Sequence, residues 1–400
     1  MTTVLVFAVV LLVAVLVSEL ARRTILSTAV LFLVAGFVAG AGVSGAIRIH
    51  PRDPVVATLA ELALFSVLFT DGMKAGISDL REAWHLPGRA LLLGLPLTFL
   101  GTAALARYVA GLPWTESFLL GAILSPTDPV LAEAIVGRED VPFRLRHLLN
   151  VESGLNDGLA LPVVLVLLEV AGSGHPHVAR VLGELGLGVM IGAAVPAVAA
   201  VLLRKPALRA AGRYEPLAAF AIGVLVYALT RTVGANSFLA AFSGGSALAS
   251  VEPRLRQEFS QFGELITELL KLAALLVFGA LLSPRLLGDV GLGGYVFGVS
   301  ALLLVRPAAI GLSMLGTGIR GREWVTVAWF GPKGFASVVY GLLMLDRNVP
   351  HAERLFHLVA IAVAVSILAH ASTDVPLARL FHAEVDGPED GPEPGRALGP

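Results

Sequence analysis

The sequence contains no cysteine and few charged residues. The absence of cysteine excludes disulfide bonds, thiol redox chemistry and thiolate metal sites. Only 15% of the 400 residues are Asp, Glu, Lys or Arg, whereas a soluble domain carries about 25%. The net charge of −1 gives no electrostatic basis for binding nucleic acid. The scarcity of charged residues excludes a soluble globular domain, and the chain is dominated by apolar residues.

Apolar residues make up 56% of the chain, and the mean hydropathy is +0.82. Stretches long enough to cross a bilayer recur along almost the whole length, which predicts an all-α polytopic membrane protein. The first run, VLVFAVVLLVAVLV, follows no basic segment and is interpreted as a retained span rather than a cleaved signal peptide. Thirteen spans are predicted, at residues 3–20, 24–45, 54–72, 89–110, 115–137, 147–170, 180–203, 215–233, 235–250, 265–283, 293–315, 323–345 and 353–373.

Basic residues predict how this membrane domain, residues 1–373, is oriented. When residues at span edges are assigned to the adjoining connector, 18 of the 29 Lys and Arg follow odd-numbered spans and 8 follow even-numbered ones. By the positive-inside rule the N-terminus is outside and the C-terminus is cytoplasmic, in the plasma membrane of a prokaryote. Residues 374–400 are polar, acidic and rich in Pro and Gly, so we expect a short disordered tail without a regulatory domain.

Polar breaks interrupt two of the spans at matching places. The fifth span contains SPTDP at 125–129, and the twelfth contains FGPKG at 330–334. If the halves are about 1–170 and 215–373, joined by a linker helix at 180–203, each break falls in the fifth helix of its half. Two inverted six-helix repeats with discontinuous helices are typical of transporters. No similarity between the halves is apparent at the level of residues, so this symmetry depends on the count of spans.

The SPTDP break places a carboxylate on irregular backbone within the membrane. Pro126 and Pro129 each remove a backbone donor and disfavour helix before themselves, so Thr127 and Asp128 are predicted to lie on unwound chain. Free carbonyls beside a carboxylate form an oxygen-rich site that suits an alkali cation or a proton. The structural alternative is a proline kink in which Asp128 caps the second half-helix.

The segment VESGLNDG in the sixth span carries the second polar group. Ser153 and Asp157 are four residues apart and share a helix face with Asn156 beside them, whereas Glu152 lies on an adjacent face. At about 1.5 Å per residue, Asp128 and Asp157 both fall near the midplane. An ionisable residue at that depth is costly, which favours a functional role over a purely structural network of buried hydrogen bonds.

Three basic residues fall inside spans. Arg306 lies mid-span and needs an anion, and Glu152 is the predicted partner in a structural ion pair, because its face differs from that of Asp157. Lys333 sits at the second break, where it can offset the dipole of a half-helix C-terminus or balance the carboxylates. Lys271 is predicted to extend to the interface rather than to serve the site.

Asp71 ends the third span in LFSVLFTDGMKAGISDLR. Two interpretations stay open for it. Its carboxylate either lines the inner path to the site or is an ordinary helix-end residue near the interface.

Five segments together resemble a known family. They are FTDGMKAGISDLR, LGAILSPTDPVLAEAIV, LRHLLNVESGLNDGLALP, LLLVRPAAI and AWFGPKGFASVVYGLL. The chain is similar to the monovalent cation:proton antiporter superfamily, and most of all to its NhaP-like sodium/proton exchanger branch. The resemblance covers roughly residues 1–373. It implies a thirteen-helix inverted-repeat fold, a homodimer, and alternating access by movement of a six-helix bundle against a dimerisation domain.

The resemblance also implies roles for individual residues. Asp157 would bind the cation and the proton in competition, and Asp128, Ser153 and the Thr127 carbonyl would help to coordinate Na⁺. Asn156 marks the branch associated with electroneutral exchange. The resemblance further implies the buried pair of Glu152 and Arg306. The chain departs from the family pattern at Asp71, where Glu is common, and at Lys333, where Arg is common. We also expect no long cytoplasmic tail of the kind that regulated exchangers carry.

The function predicted is antiport of a monovalent cation, Na⁺ with Li⁺ or K⁺ left open, and a proton, without a cofactor. A cation channel or uniporter remains the alternative, although paired helix breaks favour a carrier. An intramembrane aspartyl protease is disfavoured. Its two catalytic Asp are usually followed by Gly, whereas Pro129 follows Asp128 and Asp157 belongs to an Asn-Asp pair.

Overall fold

The protein is all-helical over the residues that the computed structural model describes, which are 1–17, 27–74, 85–128, 141–173, 177–205, 214–319, 321–347 and 349–382. The helices in chain order are α1 Thr2–Leu16, α2 Thr28–Ala39, α3 Pro54–Lys74, α4 Leu86–Tyr108, α5 Trp114–Leu124, α6 Phe143–Gly172, α7 Val178–Leu203, α8 Glu215–Val233, α9 Ser237–Val251, α10 Pro253–Leu281, α11 Pro284–Asp289, α12 Gly291–Ser313, α13 Arg322–Trp329, α14 Phe335–Leu345 and α15 Ala352–His382.

Every predicted span overlaps one or two of these helices. By length and composition, seven helices of the described chain can cross a membrane. They are α3, α4, α6, α7, α8, α12 and the part of α15 up to Thr373. Five shorter apolar helices, α1, α2, α5, α9 and α14, accompany them. The chain is therefore a multi-pass membrane protein, and the exact number of thirteen spans stays a prediction.

Two helices extend beyond the predicted membrane spans. Helix α10 begins at Pro253, before the span predicted from 265, because its first turns are an amphipathic extension in which Leu255 and Phe259 are buried. Helix α15 runs on to His382, beyond the span predicted to 373, and Leu377 packs against a buried apolar cluster. Residues 374–382 of the predicted disordered tail are therefore helical, and residues 383–400 lie outside the described chain.

Helices α4 and α12 share an irregularity that the sequence analysis missed. Each contains one π-helical turn, at Ala90–Gly94 in α4 and Ala301–Val305 in α12. The residues are ALLLGLP at 90–96 and ALLLVRP at 301–307, so each wide turn lies just before a proline that lacks a backbone donor. These are the fourth and eleventh predicted spans, so the two segments occupy matching places in the proposed halves.

The two helices that contain these turns also pack against each other. A Cβ atom on Gly94 would lie 2.6 Å from Ile310 Cδ1, and one on Gly101 would lie 2.8 Å from Val305 Cγ1. Small residues thus bring the helices close, as is usual between membrane helices. The paired turns place Arg306 at the end of one π-helical segment, beside the second helix break.

The two breaks meet at the centre of the fold. Helix α5 ends at Leu124, and the chain from 125 to 128 is not helical. Helix α13 ends at Trp329, and the chain is non-helical until α14 begins at Phe335. The backbone N–H of Asp128 donates to the carbonyl of Pro332 at 2.9 Å, so the two irregular segments contact directly. Pro129, to which part of the first break was attributed, lies outside the described residues.

Candidate cation site

Asp128 lies where the two breaks meet, and it is buried. Its Oδ2 accepts a hydrogen bond from the backbone N–H of Phe335 at 3.2 Å, at the first residue of α14. The ammonium Nζ of Lys271 lies 3.6 Å from the other oxygen, Oδ1. A helix N-terminus and a buried ammonium therefore both compensate this carboxylate.

Gly334 makes the position of Asp128 possible. A Cβ atom on Gly334 would lie 2.1 Å from Asp128 Cβ and 2.5 Å from Oδ2. Gly334→Ala is therefore expected to displace the carboxylate and to reduce transport at least about tenfold, since a small misplacement in a preorganised site is costly. Gly183→Ala is the matched control, because a Cβ atom there meets nothing within 4 Å. Ion flux measured in proteoliposomes checks both variants, and equal flux would refute the steric explanation.

A cluster of hydroxyl and amide groups lies beside Asp128. Asn156 Nδ2 donates to Thr127 Oγ1 at 2.6 Å, and the hydroxyls of Thr127 and Ser153 are 3.2 Å apart. All three side chains are buried. Asn156 Oδ1 has no hydrogen-bond partner among the described residues. The break on α5 and the middle of α6 thus present several oxygen atoms to one small volume.

Asp157 also has a buried oxygen without a partner. Its side chain is 4% exposed, and Oδ1 finds no hydrogen-bond partner within the described ranges. The hydroxyl of Tyr340 donates to the backbone carbonyl of Asp157 at 3.1 Å, which connects α14 to α6 here without satisfying the carboxylate. A buried polar atom without a partner calls for an ion, a proton or a water. Asp157 can therefore bind an exchangeable ligand.

Glu152 and Arg306 form a buried ion pair, as their helix faces predicted. Nη2 of Arg306 lies 3.0 Å from both carboxylate oxygens of Glu152, and both side chains are 3% exposed. The same nitrogen donates to the carbonyl of Phe330 at 3.0 Å, on the second break. A Cβ atom on Gly331 would lie 1.3 Å from Arg306 Nε, so only glycine leaves room for the guanidinium. The pair thus connects α6, α12 and the second break.

Lys333 reaches from the second break to the first. Its Nζ donates to the carbonyl of Ser125 at 3.2 Å, directly after the last residue of α5. Its backbone N–H donates to Ser366 Oγ at 2.7 Å, which fastens the break to α15. Of the two roles predicted for Lys333, this contact favours compensation of a half-helix C-terminus.

Asp71 is buried and lies in the last turns of α3. A Cβ atom on Gly154 would lie 3.9 Å from its Cβ, so Asp71 faces the α6 segment that carries Ser153 and Asp157. It is not an exposed helix-end residue. Whether it lines the path of the ion stays a prediction.

The chain is similar to known proteins over most of its length. The family profile described as "Sodium/hydrogen exchanger, transmembrane" matches residues 7–380. The chain belongs to the sodium/hydrogen exchanger family. Within the cation:proton antiporter superfamily it lies in the NhaP-like branch.

Two relatives and one solved structure illustrate the similarity. The K(+)/H(+) antiporter NhaP2 of Shewanella sp. (strain MR-4) is 25% identical over 380 residues, which cover 93% of this chain and 66% of the relative. The K(+)/H(+) antiporter NhaP of Alkalimonas amylolytica is 26% identical over 398 residues, 98% of this chain and 68% of the relative. The sodium proton antiporter MjNhaP1 from Methanocaldococcus jannaschii superposes with a TM-score of 0.78 at 19% identity, covering 95% of this chain and 97% of that chain.

These comparisons establish the fold. The exchanger-family chain has the sodium/proton antiporter fold that the family resemblance implied. It spans 66% of the length of the Shewanella relative.

One residue of this exchanger-family site was placed wrongly from the sequence. Lys271 was predicted to extend to the interface, but it is 7% exposed and contacts Asp128. The error follows from the predicted start of the tenth span at 265, because the helix begins at Pro253 and Lys271 therefore lies well inside it. The long apolar run after Lys271, LAALLVFGALL, was the signal that could have placed it deep in the membrane. Tyr340 was also missed.

Proposed function

We propose that this protein exchanges a monovalent cation for a proton across the membrane, with both ligands competing for Asp157. The observation that supports this most strongly is the buried carboxylate oxygen of Asp157 without a partner among the described residues. Ser153 and Asn156 lie on the same helix and contact Thr127 on the first break, and the oxygens of these three side chains suit a hard cation. The cargo is Na⁺, with Li⁺ or K⁺ as further candidates.

The proposed cycle needs one site and two ligands. Deprotonated Asp157 takes a cation from one side, with Asp128, Ser153 and the Thr127 carbonyl completing the coordination. The site then becomes accessible from the other side, the cation leaves, and a proton replaces it for the return. Because cation and proton never bind together, each cycle is one exchange. Transport is electroneutral if Asp157 alone exchanges its proton, and we propose this case.

Several features of the fold support alternating access rather than an open channel. The cavity beside Asp128 has a volume of about 10 Å³, which is about one water molecule. The paired breaks and the paired π-helical turns support two inverted repeats, at about 1–170 and 215–373, around the linker helix at 180–203. An ion held between such repeats is released by movement of one repeat against the other.

The proposed function also includes an oligomeric state, a membrane location and a class of cargo. We place the protein as a homodimer in the plasma membrane of a prokaryote, with the N-terminus outside, and the distribution of Lys and Arg supports this orientation. The NhaP2 relative is named a K(+)/H(+) antiporter and the solved neighbour a sodium proton antiporter, which supports an alkali cation as cargo. We assign the site no enzymatic reaction and no resident cofactor.

Proteoliposomes with an imposed pH gradient test this function. Addition of Na⁺, Li⁺ or K⁺ in turn is expected to dissipate the gradient for at least one of them, because inward cation movement drives proton exit. With the membrane voltage clamped by K⁺ and valinomycin, the rate of an electroneutral exchanger is unchanged. Cation flux without proton counterflow would instead identify a channel or uniporter. The absence of any cation-dependent change in pH would refute the proposal.

A further inference from the structure

Lys271 and Asp128 form a buried contact between two parts of the fold. Lys271 belongs to α10, which packs along α2 so closely that a Cβ atom on Gly279 would lie 2.1 Å from the carbonyl of Leu33. Asp128 belongs to the first helix break. The two side chains are 8% and 12% exposed, and Nζ lies 3.6 Å from Oδ1. An ammonium from outside the two breaks therefore reaches into the candidate site.

The contact is looser than the other buried ion pair. A charge-assisted hydrogen bond between nitrogen and oxygen typically spans about 2.7–2.9 Å. The separation of 3.6 Å in this pair leaves the ammonium displaced from Asp128, whereas Arg306 lies 3.0 Å from both oxygens of Glu152. Lysine also differs from arginine in carrying a compact charge on a flexible stem. The geometry thus resembles an exchangeable ion more than a fixed structural pair.

The ammonium and a bound cation would share a small buried space. A cavity of about 10 Å³, about one water molecule, remains beside the ammonium and is lined by Asp128, Lys271, Glu268 and Gly334, among others. A dehydrated alkali cation in that cavity would lie close to the ammonium, and like charges repel each other strongly in a site of low polarity. The two positive groups therefore compete for Asp128.

We propose that Lys271 acts as an internal competitor of the transported cation. This inference rests on the proposed function and assigns Lys271 as an affinity-determining residue. In the empty carrier the ammonium compensates Asp128, and an incoming cation must displace it before Asp128 can help to coordinate. Lys271 thereby weakens cation binding and sets the concentration at which transport is half-saturated. Displacement of the ammonium also removes this contact between α10 and the first helix break.

Lys271→Gln tests the competition. Removal of a cation near a carboxylate changes its affinity for another positive ligand by about tenfold or more. The apparent KM for Na⁺, measured in proteoliposomes at a fixed alkaline pH, is therefore expected to fall about tenfold. Calorimetric titration of the purified protein with NaCl should show a matching fall in Kd. Lys271→Arg keeps the charge and should stay closer to the wild-type affinity.

The matched control is Lys74→Gln, on the facing helix α3. Lys74 pairs with Glu264 of α10 at 3.0 Å, but the two side chains are 47% and 52% exposed. Solvent screens such a pair, so its removal should leave the KM for Na⁺ unchanged. If Lys271→Gln does not yield a monodisperse protein, Lys271→Met offers a side chain of similar length without the charge.

Chemical rescue separates competition from a purely structural role. Lys271→Ala opens space beside Asp128, so added methylammonium should raise the apparent KM for Na⁺ in this variant and not in the wild type. Unchanged KM and Kd in Lys271→Gln, with exchange intact, would overturn the inference and leave the proposed function standing. Absence of exchange in the wild type would refute the proposed function instead. The Kd for Na⁺ in wild type and Lys271→Gln, measured by calorimetry, would then test the role of Lys271 independently of transport.

Discussion

Asp157→Asn is expected to abolish cation–proton exchange while the protein still inserts and folds. The substitution keeps the shape of the side chain and removes the only charge with which it can bind a cation or release a proton. The loss should exceed about a hundredfold, because the proposed cycle has no other group that both ligands must occupy. Folding should be little affected, since Oδ1 of Asp157 has no hydrogen-bond partner among the described residues. Proton and Na⁺ flux in proteoliposomes measure the effect.

Glu169→Gln is the matched control for this variant. Glu169 lies on the same helix, α6, close to its end at Gly172, and accepts a hydrogen bond from the backbone of His177. Neutralising it should leave exchange intact, which would separate loss of the site from loss of one acidic residue in α6.

Calorimetry adds a second readout for Asp157. Acidification should weaken Na⁺ binding to the wild type, because protons then occupy Asp157. Residual pH-dependent Na⁺ flux in Asp157→Asn would overturn the assignment of Asp157 as the shared binding group.

Neutralising Arg306 is expected to damage folding rather than transport alone. Arg306→Gln leaves the carboxylate of Glu152 buried without its cation and the carbonyl of Phe330 without its donor. Removal of one partner from a buried ion pair costs about 3–5 kcal/mol. Thermal unfolding in detergent and the yield of monodisperse protein report this loss. The double variant Glu152→Arg/Arg306→Glu should recover part of the stability, because the attraction returns but the bond to Phe330 does not.

A surface pair on neighbouring elements provides the control for Arg306. Arg144 on α6 and Glu323 on α13 form an ion pair in which Arg144 Nε lies 2.9 Å from Oε1. The side chain of Arg144 is 53% exposed, so Arg144→Gln should cost no more than about 1 kcal/mol. Equal losses for Arg144→Gln and Arg306→Gln, or no recovery in the charge-swapped double variant, would contradict the role given to the buried pair.

The pair of Glu152 and Arg306 could be predicted because both residues obey simple rules. An arginine in the middle of an apolar span requires an anion, and helical spacing separates the face of Glu152 from that of Asp157. Asp128, Thr127 and Lys333 could likewise be assigned to breaks, because Pro and Gly in an apolar span mark irregular backbone. These predictions use only local sequence and the low polarity of the membrane.

Lys271 could not be predicted in the same way. Its burial depends on where α10 begins, and the amphipathic turns from Pro253 obscured that start. The repeated ALLL segments were also missed, because seven residues are too few to indicate a repeat. The structure shows that both form π-helical turns, in helices that pack against each other.

Hydropathy, the positions of Pro and Gly, and the charges inside spans determined the class of the fold and most of the residues near the breaks, and the resemblance of five motifs indicated the family. These features are local to a single helix, so they can be recognised from the sequence alone. Only the tertiary structure decided three other placements: Lys271 lies beside Asp128, Lys333 reaches the end of α5, and Asp157 keeps an oxygen without a partner among the described residues. These placements depend on how helices distant in sequence pack, and the side-chain spacing along each helix did not indicate that packing.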